Sequence, residues 1–243
     1  MKQPIALVLF AVTCVVAGCS SSPLTGSPTT DNEAAAVPAA AGGSEASATG
    51  AAGSTNAGRT GPTSTFAAYP AGPYGTGRGA TIQNLSFLGW KHPVDAAYDL
   101  SKLETLRLSD FYDPDEHTGI KLLAINASAV WCSVCRSEYV DMLTQDTYAT
   151  FKAKGVEMLG TLFQDNAYYP AQPQDLHNWG SVSNHKVAFP LVIDPSFKMG
   201  AYFDSDATPL NMLVNVRDMT IVSVTMGYST TYWDSVQTTL DKL

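Results

Sequence analysis

Residues 121–163 restrict the fold more than any other part of the sequence, because they predict a strand, a helix and a strand in succession. The run KLLAINA at Lys121–Ala127 is largely apolar and bounded by turn signals, which is typical of a buried central strand. A helix is predicted to start at the cysteines that follow, to extend through Phe151 and to stop near Gly155. The run VEMLGTLF at Val156–Phe163 is the next predicted strand.

Further strands are predicted on both sides of this unit. Ile82–Trp90 and Leu103–Phe111 precede it, and Leu210–Val216 and Thr220–Met226 follow it around a tight turn. An amphipathic helix is predicted at Thr231–Leu243. The succession predicts an α/β fold with three layers, in which helices flank a central mixed β-sheet and an N-terminal extension precedes it.

Two cysteines three residues apart, Cys132 and Cys135, open the predicted helix, and the other two cysteines of the chain are Cys14 and Cys19. A disulfide between Cys132 and Cys135 closes so short a loop that it removes little entropy from the unfolded chain. A domain of this size does not need such a bond to stay folded. The spacing therefore favours a pair that is kept for its reactivity.

The start of a helix suits a reactive cysteine. Unpaired backbone N–H groups and the positive end of the helix dipole stabilise the thiolate of Cys132, which is the nucleophile. Cys135, one turn later and more shielded, would then resolve the mixed disulfide. Trp131 would shield the edge of this site. Glu138 lies three residues after Cys135 on the same side of the helix, where a partly buried carboxylate would accept the proton of the resolving thiol.

The order of these features resembles the thioredoxin superfamily. A strand leads into WCSVC at residues 131–135, and Thr208-Pro209 precedes a later strand. The closer resemblance is to the membrane-anchored, redoxin-type branch of TlpA and ResA. That branch has an asparagine six residues before the first cysteine, here Asn126, and often a glutamate three residues after the second, here Glu138.

This resemblance implies a thioredoxin-like fold and the activity of a thiol–disulfide oxidoreductase. It implies a cis bond before Pro209 that faces the cysteines, with the backbone of Thr208 available to an incoming substrate strand. The expected partners are protein disulfides, reduced rather than formed, and an inner-membrane dithiol donor. No cofactor is expected beyond the Cys132–Cys135 couple. Ser133-Val134 lacks both the proline of thioredoxin-like motifs and the histidine of strong oxidants, so the sequence leaves the reduction potential open.

Residues 1–19 predict export to a bacterial cell envelope. A positive start is followed by an apolar run from Ile5 to Val16 that is too short to span a bilayer comfortably. The ending VAGC resembles a lipobox, which implies that Cys19 is lipidated and that the protein faces the periplasm from the inner or the outer membrane. Residues 20–71, rich in Ala, Gly, Ser, Thr and Pro, predict a disordered tether, and residues 72–243 the folded domain.

Other functions remain open on the sequence alone. A thioredoxin-fold copper carrier would also be tethered and exported. Carriers of that kind use the spacing CxxxC with a later histidine, whereas the spacing here is CxxC. Structural zinc needs four ligands, and the four histidines of the chain are scattered. A peroxidase would have a threonine three residues before its reactive cysteine, and this chain has Ala129 there. A non-catalytic interaction module is a further alternative, whereas the net charge of −8 without a basic cluster argues against nucleic acid.

Overall fold

A seven-stranded sheet forms the centre of the protein in a computed structural model, which describes residues 68–182, 184–203 and 205–243. The strands are β1 Ser86–Trp90, β2 Glu104–Arg107, β3 Leu122–Ser128, β4 Val156–Leu162, β5 Ser181–Val182, β6 His185–Lys186, β7 Leu191–Ile193, β8 Leu210–Asn215 and β9 Thr220–Met226. The order in the large sheet is β2-β1-β7-β4-β3-β8-β9, and β5 and β6 form a separate hairpin. The predicted signal segment and residues 20–67 of the predicted tether lie outside the described residues.

The sheet is mixed, as predicted. Its centre consists of β3, β4 and β7, which run parallel, and antiparallel pairs extend it on both sides through β1 and β2 and through β8 and β9. Every residue of β3 is buried. Because successive side chains of a strand point to opposite faces, both faces of the sheet are covered at β3.

Four α-helices flank this sheet, and among the described residues no helix has the length and apolar character needed to cross a membrane. They are α1 Ser133–Thr144, α2 Thr147–Lys152, α3 Pro173–Trp179 and α4 Tyr232–Leu240. The prediction of one uninterrupted helix through Phe151 is wrong. Asp146 adopts a left-handed backbone conformation (φ 51°) that separates α1 from α2. This break directs Phe151 against Trp233 of α4, with ring centroids 4.7 Å apart.

The prediction of a strand through Phe111 is also wrong in its second half. β2 ends at Arg107, and Leu108–Phe111 form a 3-10 turn. The backbone N–H of Leu108 still donates to the carbonyl of Leu85 at 3.0 Å, in register with the β1–β2 ladder. Beyond it, the backbone N–H of Ser109 donates to the side-chain oxygen of Asn84 at 2.9 Å instead of to a backbone carbonyl. The turn buries Leu108 and Phe111 together, whereas an alternating strand would place them on opposite faces.

Tyr69, in the last part of the predicted tether, contacts the folded domain. The hydroxyl of Tyr69 donates to the carbonyl of Ile82 at 2.8 Å, and its ring meets Tyr112 edge-on at 5.8 Å. Tyr69 therefore packs against the core, and the division after residue 71 stays a prediction.

A methyl group at Gly89 would test the pairing of β1 with β7. A Cβ atom there would overlap the carbonyl oxygen of Leu191 and stand 2.5 Å from the Cα of Val192. Because these are backbone atoms, they cannot rotate away. We expect Gly89→Ala to lower the free energy of unfolding by about 1–3 kcal/mol, measured by denaturant titration. Gly77→Ala is the control, since its Cβ would meet nothing within 4 Å. Equal effects of the two changes would contradict this packing.

Candidate active site

The two cysteines stand where β3 leads into α1, and a disulfide joins them. Cys132 is the N-cap residue of α1, and its Sγ accepts a hydrogen bond from the backbone N–H of Cys135 at 3.0 Å. This N–H is one of those that a helix start leaves without an internal partner. The predicted start of the helix at the cysteine motif is confirmed, and the sulfur of Cys132 lies against the positive end of the helix dipole.

The two cysteines differ in their access to solvent. Cys132 keeps 5% of its surface exposed, whereas Cys135 is fully buried. Between them, Val134 is 47% exposed, so the turn of the motif lies at the protein surface. An incoming sulfur can therefore reach Cys132 before it reaches Cys135.

The proline segment borders the cysteine loop. The Thr208–Pro209 peptide bond is cis, as the resemblance implies. Ala127 at the end of β3 is paired with Leu210 at the start of β8. Pro209 therefore lies at the same edge of the sheet from which the cysteine loop emerges. Pro209 is buried and Thr208 half-buried.

A network of buried polar side chains lies beneath this edge. Asn126 and Asn211 each donate an amide hydrogen bond of 2.8 Å to a different carboxyl oxygen of Glu138. Asn126 also donates to Asn211 at 3.0 Å and accepts from the hydroxyl of Ser128 at 2.7 Å. All four residues are buried. The network therefore satisfies polar groups that would each cost roughly 1–3 kcal/mol if left without partners.

Burial changes the acidity of Glu138. Desolvation raises the pKa of this carboxyl from 4.5 to about 7, and the hydrogen bonds from Asn211 and Asn126 oppose the rise by stabilising the charged form. Glu138 lies on α1 one turn after Cys135. A carboxyl with this pKa can exchange a proton near neutral pH, which suits a proton acceptor for a thiol.

Asn211 and Ser128 were not identified from the sequence. Asn211 interrupts the apolar strand LNMLVN in the same way that Asn126 interrupts KLLAINA. The two asparagines are direct partners across β3 and β8. A polar residue in each of two predicted buried strands is the signal that would have suggested the pair, but it needs the register to be known.

Trp131 borders the cysteines on the side of β4. Its indole Nε1 donates to the side-chain carbonyl of Gln164, the second residue after β4, at 3.0 Å. Its ring stacks on that of Tyr168, with centroids 5.0 Å apart. Trp131 thus joins the cysteine motif to the segment that follows β4.

The metal alternatives require further ligands near the cysteines. In the described ranges of the chain, no group of three or more His, Cys, Asp or Glu residues is placed to hold a metal ion. His177 on α3 instead contacts the carbonyl of Tyr98 through Nδ1 at 2.8 Å.

No family model matches the sequence, and no curated protein matches it either. Solved structures do match. A proposed thiol:disulfide interchange protein DsbE from Chlorobium tepidum is 15% identical, with a TM-score of 0.49 over 68% of this chain and 96% of its own. An exposed lipoprotein thioredoxin from Streptococcus pneumoniae is 22% identical, with a TM-score of 0.45 over 66% and 100%. A DsbF homologue from Corynebacterium diphtheriae is 17% identical, with a TM-score of 0.48 over 68% and 87%.

The fold is thioredoxin-like. It has the mixed sheet around β3, the cysteine pair at the start of α1 and the cis-proline before β8. The fold predicted from the sequence is confirmed, whereas the activity has to be inferred from the site itself.

The raised pKa of Glu138 makes stability depend on pH. Between pH 4.5 and about 7 the folded protein retains a proton that the unfolded chain releases, so stability falls as pH rises. In the disulfide form, we expect this residue to lower the free energy of unfolding by up to about 1.4 kcal/mol per pH unit in that window.

Glu138→Gln should flatten this dependence, measured by denaturant titrations at several pH values. Asp194 also has a raised pKa because of burial, so the informative quantity is the difference between the two proteins. Parallel curves for wild type and variant would show that Glu138 does not titrate in this window.

Proposed function

We propose that the protein is an envelope-located thiol–disulfide oxidoreductase that reduces protein disulfides through Cys132 and Cys135. The observation that carries the proposal is the graded access of the pair at the start of α1, next to Pro209 and one turn before a buried acid. This arrangement supplies a nucleophile, a resolving thiol and a proton acceptor.

In the reduced protein, the Cys132 thiolate attacks one sulfur of a substrate disulfide. A bond forms between Cys132 and that sulfur, and the second substrate sulfur leaves as a thiolate that takes up a proton. Cys135 then attacks Cys132, which releases the first substrate sulfur and leaves the Cys132–Cys135 disulfide. The substrate gains two electrons and two protons, so an external dithiol donor must reduce the pair before the next turnover.

Glu138 receives the proton of Cys135 in the second step. A carboxylate with a pKa of about 7 is basic enough to take this proton and acidic enough to release it afterwards. Asn126 and Asn211 hold both carboxyl oxygens and thereby fix the direction in which the acid faces.

The neighbouring residues position the substrate. The backbone of Thr208 pairs with an extended segment of the substrate, since Pro209 and the cysteine loop lie at one edge of the sheet. Trp131 shields the opposite border of the site.

A lipid on Cys19 would hold this domain at the membrane, facing the periplasm. The tether predicted from the composition of residues 20–71 would let the domain meet both substrate proteins and a dithiol donor of the inner membrane. This part of the proposal is supported by the VAGC sequence that ends at Cys19 and by the composition of residues 20–71.

Cysteine variants test the proposed chemistry. We expect Cys132→Ser to abolish the reduction of insulin by the purified domain, because the attacking sulfur is lost. Cys135→Ser should keep the first step and accumulate a mixed disulfide on Cys132, detectable by mass spectrometry. An unaffected rate in Cys132→Ser would rule out the mechanism. Stoichiometric, tight Cu(I) binding by the wild type that is lost in Cys132→Ser, without exchange activity, would support the metal-carrier alternative.

The direction of electron flow is tested by the reduction potential of the pair, measured in glutathione buffers. A value near that of thioredoxin, about −270 mV, agrees with a reductant. A value near about −120 mV, as in a strong oxidant, would reverse the proposed direction.

The anchor is tested by changing Cys19 to serine in the full chain expressed in a bacterial host. We expect the variant to lose the acyl mass that the wild type carries, measured by mass spectrometry, because serine cannot carry the thioether-linked lipid. Cys14→Ser is the matched control and should keep the acyl mass, since Cys14 lies in the segment that is removed. A wild type without acyl mass, or equal acylation of Cys19→Ser, would contradict the lipid anchor.

A further inference from the structure

The cysteine loop has a different neighbour on each side. β8 and Pro209 adjoin β3 on one side, and β4 adjoins it on the other. The chain that leaves β4 forms a loop at residues 164–170, which contacts the cysteine loop directly. The backbone N–H of Val130 donates to the carbonyl of Gln164 at 2.9 Å. The site thus has a second border, formed by a segment to which no role in the exchange reaction has been given.

Loop 164–170 is held by its own hydrogen bonds. Asp165 Oδ1 accepts from the backbone N–H groups of Ala167 at 2.7 Å and Tyr169 at 2.8 Å. The backbone N–H of Asp165 donates to the carbonyl of Tyr169 at 2.8 Å, and Gln164 and Pro170 form a β-bridge. These bonds close the loop into a compact turn that fixes the residues at its tip.

Tyr168 stands at this tip in a conformation that a bulky residue rarely adopts, with φ of 66°. Strain of this kind persists where surrounding contacts fix it, and such residues cluster at functional sites. The conformation places the Tyr168 ring on Trp131, with an angle of 28° between the ring planes. Tyr168 nevertheless remains 64% exposed, so this contact leaves most of the ring open to solvent. Tight burial of an aromatic side chain does not explain the arrangement.

There is also room beside this pair for a polypeptide. An open cleft of about 480 Å³ lies between loop 164–170 and α1. Asn166 lines it from the loop, Ser133 and Arg136 line it from α1, and Trp131 lines it from the cysteine motif. The cleft therefore begins at the residue that precedes Cys132.

We propose that Trp131 and Tyr168, here named the aromatic shelf, bind the substrate chain that flanks the reacting disulfide and favour an aromatic side chain beside its cysteine. The proposal rests on the proposed function. The occupant is an extended polypeptide, because a chain that pairs with Thr208 and presents its sulfur to Cys132 continues across the cysteine loop to the shelf. An aromatic residue at that point would stack on the exposed ring of Tyr168.

The test compares two synthetic peptide disulfides that differ only in the residue beside the cysteine, Phe in one and Ala in the other. For the wild-type protein, we expect kcat/KM to be about three- to tenfold higher for the Phe peptide, the factor that one aromatic pair typically supplies. Tyr168→Asn should bring this ratio close to one. Asparagine tolerates a positive φ, so the loop can keep its shape. Tyr168→Phe should retain the preference.

Tyr169→Ala is the matched control, because Tyr169 is in the same loop and is similarly exposed, at 69%. It should leave the ratio unchanged. A wild-type ratio near one, or equal losses in Tyr168→Asn and Tyr169→Ala, would overturn the proposal. Oxidised glutathione distinguishes the two levels of inference. If the wild type exchanges glutathione and both peptides, with a Phe-to-Ala ratio of kcat/KM near one, only the binding role of the aromatic shelf is refuted. Absence of all three reactions refutes the proposed function as well.

Discussion

The hydrogen bonds between the carboxyl group of Glu138 and the amides of Asn126 and Asn211 join the three elements that carry the site. Asn126 belongs to β3, Asn211 to β8 and Glu138 to α1. Apolar packing alone tolerates small shifts between a helix and a sheet. Buried polar groups destabilise the folded state as soon as their hydrogen-bond partners move away. The position of Cys132 relative to Pro209 is therefore fixed by the same bonds that hold the proposed proton acceptor.

Local sequence patterns were sufficient for the elements at the centre of the fold. The strands β3, β4 and β8 are largely apolar runs between turn signals, and a run of this kind has few other ways to bury its side chains. The break at Asp146 was not predictable in this way, because no local pattern indicates that Phe151 packs against Trp233 more than eighty residues later. The turn at Leu108–Phe111 likewise involves a hydrogen bond from the backbone N–H of Ser109 to the side chain of Asn84, 25 residues earlier in the chain.

The site shows the same division between local and long-range information. The cysteine spacing and the order of motifs pointed to Cys132, Cys135 and Glu138, which lie within seven residues of one another. Asn211 was missed because its role depends on the register between β3 and β8, which no local pattern states. No local pattern after β4 indicates that the tip of loop 164–170 would stack on Trp131.

The interior and the surface of the site can therefore be considered separately. The buried network includes Asn126, Ser128 and Asn211, whereas loop 164–170 contacts Val130 and Trp131. These two sets have no residue in common. In the proposed mechanism, the interior set governs how readily Cys135 loses its proton, and the surface set governs which substrate chain lies beside Cys132. The side-chain hydrogen bonds of the two sets are separate, although the backbone N–H of Phe163, beside the loop, donates to the carbonyl of Ser128 at 3.1 Å. We therefore expect a change at the tip of loop 164–170 to alter substrate preference without disturbing the proposed proton acceptor.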